Sequence, residues 1–475
     1  MRILFCSSEA VPFAKTGGLA DVSGALPKAL ARLGNEVMLT LPKYKQVGFA
    51  TERRIQLGQK EFLAVGEKPL RDIEGVQVLF IRQDELYLRD SLYGYPDDAE
   101  RFILFDKAIL AFIKELNWKP DVIHCNDWQT GLIPVYLKTT LNSDPFYKGI
   151  ATVYTIHNLA YQGNFPPETL HIAGLPEELF SFDKLEFWGQ FSFMKGGIVF
   201  SDIITTVSPR YAEEIQTKEL GAGMEGALSY RRERLRGIIN GIDYEVWNPK
   251  TDAFLPVHYD VDSLEKKVEN KKFLQKEVGL APKDVPLIGL VSRLASQKGF
   301  DILLQAMDEL FKLDIQMVIL GVGEREIEEK LKEKAKIYED KFKLFVRFDE
   351  RLSHLIYGGC DIFLMPSLYE PCGLSQMISM RYGTIPVVRE VGGLADSVEE
   401  FNPATGEGTG FLFKEYSPVA LLEAVKRALT IFGNKNAWKI VQINAMKKDF
   451  SWDASARKYV EVYKEAIQIC NKEVK

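Results

Sequence analysis

The sequence predicts an α/β protein made of two Rossmann-like, doubly wound domains. Three observations carry this. Short aliphatic and β-branched runs alternate with stretches whose apolar residues recur at helical spacing. The alternation begins at residue 3 and restarts at residue 287. Polar loops, several containing glycine, follow the short runs where such folds place their ligands. At 475 residues the chain also exceeds one ordinary core, and length alone favours roughly two or three domains.

Ile3-Leu4-Phe5-Cys6, followed by Ser7-Ser8, reads as a buried parallel strand. Val22, Ala25, Leu26, Ala29, Leu30 and Leu33 then share one helix face, and Gly34-Asn35 stops that helix. Val37-Met38-Leu39-Thr40-Leu41 is the next strand. Further strands are expected at Val78-Leu79-Phe80-Ile81, Val122-Ile123-His124, Thr152-Val153-Tyr154-Thr155-Ile156 and Ile203-Ile204-Thr205-Thr206-Val207. A Lys-rich stretch around residues 263–276 reads as a polar junction. Leu287-Ile288-Gly289-Leu290-Val291 then restarts the pattern. Helix-spaced residues from Ile302 lead to a strand at 315–320, and a Glu/Lys-rich amphipathic helix spans about 324–338. Strands at Leu344-Phe345-Val346, Asp361-Ile362-Phe363-Leu364-Met365 and Ile385-Pro386-Val387-Val388 complete the second set. Two domains joined near 241–255 are the simplest architecture. Facing domains of this kind would form a single interdomain cleft.

The 60 basic and 66 acidic residues give a formal charge of −6, which argues against a nucleic-acid partner. An anionic small substrate stays compatible, because a cleft can be locally positive on an acidic protein. Five scattered cysteines with no C-x-x-C pair indicate neither a disulfide framework nor a structural zinc site. No apolar run reaches the ~18–20 residues of a membrane span, and the N-terminal run is too short for a signal peptide. A cytoplasmic protein with no membrane partner is expected.

Two familiar patterns do not carry their usual meaning. Gly221-Ala222-Gly223-Met224-Glu225-Gly226 fits G-x-G-x-x-G but follows Thr217-Lys218-Glu219-Leu220, which is no strand. Asp260-Val261-Asp262 lies in the polar junction, so linker acids are the better reading than a metal-diphosphate site. Lys15-Thr16-Gly17-Gly18-Leu19 has the right context, between the first strand and the first helix. There main-chain N–H groups and the helix dipole favour a phosphate. Gly17 and Gly18 allow close approach, Lys15 adds a charge, and Asp21 can accept a sugar hydroxyl. An ordinary glycine turn fits the same residues. In the second half, Arg293 and Lys298 follow one strand, and Glu370-Pro371-Cys372-Gly373-Leu374 follows another and opens a helix. Two cations and a helix N-terminus suit a departing diphosphate, although a solvated basic loop is the commoner outcome for each alone.

Taken together, these motifs resemble the bacterial glycogen synthases and plant starch synthases. The matching residues are Lys15 through Val22, Asn240-Gly241-Ile242-Asp243, Arg293 with Lys298, and Glu370 through Leu374. His124-Cys125-Asn126-Asp127-Trp128, Tyr154-Thr155-Ile156-His157-Asn158 and Val391-Gly392-Gly393-Leu394-Ala395-Asp396 extend the match in order to about residue 415. The resemblance implies a GT-B fold, with 1–243 on the acceptor side and 244–450 as the nucleotide-sugar domain. It also implies a last helix, within 451–475, that crosses back to the N-terminal domain. The implied substrates are ADP-glucose, or UDP-glucose, and glycogen or another α-1,4-glucan, with no metal or other cofactor. A cytoplasmic location, or the plastid stroma in a plant, goes with that family.

Carried over residue by residue, the resemblance puts Lys15, Arg293 and Lys298 on the donor phosphates, with Gly17 and Gly18 in the same loop. It places Asp21, Asn240, His157 and Glu370 around the glucose and its nucleotide. Cys372, Gly373 and Leu374 would hold the glucose, while Glu9, Tyr93 and Asp127 would face the acceptor. Glu370, His157, Arg293 and Lys298 form the implied catalytic set. A strand-end histidine such as His157 is also often structural. There are departures from the family pattern: Ile378 stands where related transferases carry a second Glu, Ser192 replaces a usual Asn, and Val391 replaces a common Thr. Lacking a carboxylate pair for double displacement, the sequence favours front-face transfer with retention, stabilised by cations and helix N-termini. The alternatives are a sucrose synthase-like or UDP-glucose-using transferase, and an inactive glucan-binding protein.

Overall fold

The computed structural model describes residues 1–45, 51–57, 60–67 and 75–473. The chain divides into two compact units, Met1–Gly241 together with Trp452–Lys475, and Ile242–Ser451. None of the described helices is long and apolar enough to cross a membrane.

The first unit is built on a nine-stranded sheet. The Arg2–Cys6 strand lies between Glu36–Pro42 and Val122–Asn126, parallel to both, and is apolar and buried from Ile3 to Cys6. Burial on both faces is why its sequence shows no alternation. Val76–Arg82 continues the sheet on one side, and Ala151–Ile156, Ile203–Thr206 and Leu235–Gly237 continue it on the other. Strand order thus reverses beside the first strand. Cys6 pairs in register with Cys125, so the loops leaving these two strands diverge from adjacent points. The helix Gly18–Arg32 covers the sheet with Leu19, Val22, Leu26, Ala29 and Leu30.

The Trp452–Glu473 helix belongs to this unit and buries Trp452, Ala456, Tyr459, Tyr463, Ala466 and Cys470 in its core. Tyr463 Oη is 2.7 Å from His124 Nδ1, and Ser455 donates to the Ile239 carbonyl at 2.7 Å. Gly241 is required where the two segments meet, because a Cβ there would lie 2.7 Å from the Trp452 main chain.

The second unit carries six parallel strands in the spatial order Phe342–Phe345, Gln316–Leu320, Leu287–Val291, Ile362–Met365, Ile385–Arg389 and Phe411–Phe413. Numbered along the chain this is 3-2-1-4-5-6, the doubly wound order with its switch point beside Leu287–Val291.

Several elements depart from the sequence reading, among them the strands Leu235–Gly237 and Phe411–Phe413, which that reading lacks. The stretch taken as a polar junction is helical, with a 3-10 segment Val261–Lys266 running into the helix Lys267–Glu277. Its polarity misleads because Lys267 and Lys271 are buried. Lys267 Nζ donates to the Gly358 carbonyl and Thr384 Oγ1, both at 2.7 Å, and Lys271 pairs with Asp361 at 2.6 Å. Long lysine stems pack as apolar matter when their amines find acceptors. The antiparallel pair Thr51–Leu57 and Lys60–Glu67, and a small three-stranded sheet at Asn164–Phe165, Glu186–Phe187 and Gln190–Ser192, were also unexpected. Thr51–Leu57 is an edge strand and the strands of the small sheet are two or three residues long, whereas Lys60–Glu67 contains the apolar run Phe62-Leu63-Ala64-Val65 that the sequence reading passes over.

The buried seat of Tyr463 makes the last helix part of the first unit's stability. Tyr463→Ala is expected to cost about 3–5 kcal/mol, read as a lower denaturation midpoint. An unchanged midpoint would show that the helix is only loosely docked.

Candidate active site

In the first unit the loops after Arg2–Cys6, Val122–Asn126 and Ala151–Ile156 converge at the carboxyl ends of the strands. Glu9, buried, organises the Lys15-Thr16-Gly17-Gly18-Leu19 loop. Its carboxylate accepts the N–H groups of Thr16 and Gly17, the Thr16 hydroxyl at 2.9 Å and the Tyr93 hydroxyl at 3.1 Å. Tyr93 Oη also lies 2.7 Å from Ser8 Oγ. The expectation that the loop's own amides face a phosphate is therefore corrected at Thr16 and Gly17, whose amides are bonded to Glu9. The donors remaining at the helix start begin at Gly18. An added Cβ at Gly17 or Gly18 would meet nothing within 4 Å, so space beside both is open. Lys15 Nζ is 2.7 Å from an Asp21 carboxylate oxygen. Burial raises the Asp21 pKa, opposed by that lysine.

His157 follows the Ala151–Ile156 strand. Its main-chain N–H donates to Asp127 Oδ1 at 2.8 Å, and its Nε2 is 2.9 Å from Asn126 Oδ1. Burial lowers the His157 pKa to about 3, so the ring is neutral at physiological pH. Asp127 is raised to about 7, by burial first and then by the Glu9 charge, against the N–H groups of His157 and Asn158. Its φ of 56° is unusual for a residue other than glycine and turns the carboxylate back under the His157 loop. Asn240, beyond the Leu235–Gly237 strand, is buried, and its Oδ1 has no hydrogen-bond partner among the described residues.

In the second unit three loops meet at the switch point. Arg293, after Leu287–Val291, is exposed and forms no ion pair among the described residues. Lys298 Nζ is 2.7 Å from Glu370 Oε2, which also accepts the Ser367 hydroxyl at 3.0 Å. The loops are stitched by main-chain contacts: Leu368 N–H donates to the Gln297 carbonyl at 2.8 Å, and Gly393 N–H to the Glu370 carbonyl at 3.0 Å. Glycine is required at two crossings. A Cβ on Gly299, which has φ +76°, would lie 2.0 Å from the Pro366 oxygen, and one on Gly393 would lie 2.1 Å from the Cys372 oxygen. The helix expected after Cys372 starts at Ser375 with Leu374 as its N-cap, and Gly373 makes the left-handed turn into it.

The structure thus groups Glu9, Lys15, Gly17, Gly18, Asp21 and Tyr93 around one loop, and Asp127 with His157 around another. Arg293, Lys298, Glu370, Cys372, Gly373 and Leu374 are gathered separately in the second unit. Sequence reading gave Asn126 and Ser367 no role, although both are polar residues at or just past the end of an apolar strand. Ser192 caps the Phe193–Phe200 helix by accepting the Lys195 N–H, so its hydroxyl has a structural use of its own. Gly221 through Met224 lie between the helix Pro209–Glu214 and the helix Glu225–Tyr230, and Glu225 and Gly226 open the latter, so the run does not follow a strand. Asp260 caps a helix and pairs with Lys250 at 3.1 Å. Among the described residues no cluster of three or more His, Cys, Asp or Glu side chains could hold a metal.

Residues 2–230 match the family model "Starch synthase catalytic domain", and residues 271–439 match "Glycosyl transferases group 1". A glycogen synthase of Desulforudis audaxviator is 49% identical, over 100% of this chain and 98% of its own. One from Thermotoga maritima is 48% identical over 98% and 99%. The catalytic domain of starch synthase IV from Arabidopsis thaliana, solved with ADP and acarbose, is 34% identical with a TM-score of 0.88, covering 98% of this chain and 99% of that one. Sucrose-phosphate synthase from Thermosynechococcus elongatus, at 18% identity and a TM-score of 0.62 over 98% of each chain, shares the fold. The chain is a glycosyltransferase of GT-B fold and belongs to the glycogen synthase family.

Proposed function

We propose that this enzyme transfers glucose from ADP-glucose to the nonreducing end of an α-1,4-glucan such as glycogen, with retention of the α configuration, in the cytoplasm. The observation that carries the reading is the stitched trio of loops in the second unit. It holds Arg293, a cation with no ion pair among the described residues, and a Lys298–Glu370 pair at the switch point of a doubly wound sheet. Crevices of that kind bind nucleotides. The ADP in the Arabidopsis starch synthase supports an adenosine donor.

Arg293 and Lys298 are assigned to the diphosphate, where they stabilise the charge that develops as the glucosyl bond breaks. Glu370, with Lys298 and Ser367 on the same oxygen, is held as a hydroxyl acceptor rather than as a nucleophile. Cys372, Gly373 and Leu374 lie beside it against the glucose. In the first unit Lys15 and the open side of Gly17 and Gly18 are assigned to phosphate, and Asp21, Asn240 and neutral His157 to the sugar and nucleotide. Glu9, Tyr93 and Asp127 lie towards the acceptor, Glu9 also bracing the phosphate loop. Ile378, where a second carboxylate would be needed, leaves a front-face route in which the leaving phosphate takes the proton of the incoming 4-hydroxyl. Fixed cationic side chains supply the charge stabilisation, so the proposal requires no metal.

With glycogen as primer and ADP-glucose and UDP-glucose in competition, ADP-glucose is expected to be consumed preferentially; failure to elongate glycogen with either donor would overturn the reading. Arg293→Ala and Lys298→Ala should each lower turnover by on the order of 10²–10³. Near-normal turnover in both would remove the phosphate assignment. Lys15→Ala should raise the KM for donor while leaving glucan binding in place, and equal damage to both would make the loop structural.

A further inference from the structure

A buried polar residue at the first unit's switch point has no part in the proposed mechanism. Asn126 ends the Val122–Asn126 strand and is fully buried. Its main chain is locked by Thr130, whose Oγ1 accepts the Asn126 N–H at 2.6 Å and whose hydroxyl proton goes to the Asn126 carbonyl at 2.9 Å. Its amide nitrogen donates to the Cys6 carbonyl at 2.9 Å, and the His124 carbonyl lies 3.5 Å away. A main-chain carbonyl can only accept, so the NH2 end of the amide must face Cys6. The Oδ1 end is then the atom 2.9 Å from His157 Nε2, and it too can only accept. Nε2 therefore carries a hydrogen. Because burial keeps the ring neutral, Nδ1 carries none. Among the described residues no hydrogen bond to Nδ1 exists, while Asp127 Oδ1 holds the His157 main-chain N–H at 2.8 Å. Consecutive residues thus fix both the backbone and the ring of one histidine.

We propose that Asn126 is a positioning residue that fixes His157 as the Nε2–H tautomer, leaving the Nδ1 lone pair to accept a hydroxyl of the transferred sugar. The chain of constraint runs from the first strand's last carbonyl, through the Asn126 amide, to the imidazole. It rests on the assignment of His157 to the donor sugar made above. Leucine at 126 would keep the bulk but lose both hydrogen bonds. Aspartate would keep the acceptor for Nε2–H and lose only the donor to Cys6.

The test uses the full-length enzyme labelled with 15N-histidine, whose five histidines give a sparse spectrum; His157→Ala assigns the signal. In the wild type at neutral pH, His157 should show a protonated Nε2 and an unprotonated Nδ1. The opposite tautomer, or a charged ring, overturns the proposal. Asn126→Leu should give a tautomer mixture and lower kcat about 10- to 100-fold, by analogy with removing the outer partner of a metal-bound imidazole, with little change in the KM for donor. Asn126→Asp should retain the Nε2–H tautomer and a kcat between those of wild type and Asn126→Leu. Should the leucine variant not fold, the wild-type spectrum and the aspartate variant decide. A folded Asn126→Leu with wild-type kcat, or with lowered kcat and an unaltered tautomer, contradicts the proposal. A wild type that transfers no glucose overturns the functional reading and with it the sugar-facing half. The tautomer half is still decided by the spectrum.

Discussion

Each unit's chemistry depends on the reversal of strand order beside its first strand. Parallel strands must be connected by crossovers, so every strand delivers a loop to the same edge of its sheet. Where successive crossovers go to opposite sides, the loops from two adjacent strands part and leave a crevice. Cys6 paired with Cys125 sets that point in the first unit, and Leu287–Val291 beside Ile362–Met365 sets it in the second. The Lys15 loop, Asn126, Asp127, Arg293, Lys298 and Glu370 all leave strands adjoining one of these two points.

The second constraint is charge. Glu9, Glu370 and Asp127 are each hydrogen-bonded to neighbouring donors. Burying a carboxylate is costly unless it is hydrogen-bonded, and here the satisfying groups are the loop amides, hydroxyls and lysine of the site itself. The carboxylates thereby act as braces, and what they brace includes Lys15's loop, Lys298 and His157. Arg293 is different, an exposed guanidinium with no ion pair among the described residues. That leaves it available to a diphosphate at little cost in broken contacts.

Much of this was legible in the sequence because buried parallel strands write themselves as continuous apolar runs. Leu287–Val291 was read to the residue, and the neighbouring strands to within a residue or two at most ends. The loops that follow were legible as motifs for the same reason, since they sit at fixed offsets from those runs. What could not be read were satisfactions of polar groups across the chain. Glu9 lies seven residues from Thr16, yet nothing in the spacing shows that it would take the Thr16 and Gly17 amides. Lys267 and Lys271 read as part of a polar junction, and only the positions of the Gly358 carbonyl and the Asp361 carboxylate explain their burial. Asn126 stood inside a quoted motif without a role, because its partners Cys6 and His157 are 120 residues before it and 31 after it.

Retaining transfer of glucose to the end of an α-glucan, as proposed, is reported on directly by the bond formed. Incubating the enzyme with ADP-glucose and a short maltodextrin, and following the anomeric protons by NMR as ADP is released, reads linkage and configuration in one experiment. The account predicts one new α-1,4 anomeric signal for each ADP produced. A β signal, or free glucose released in step with ADP, would contradict it.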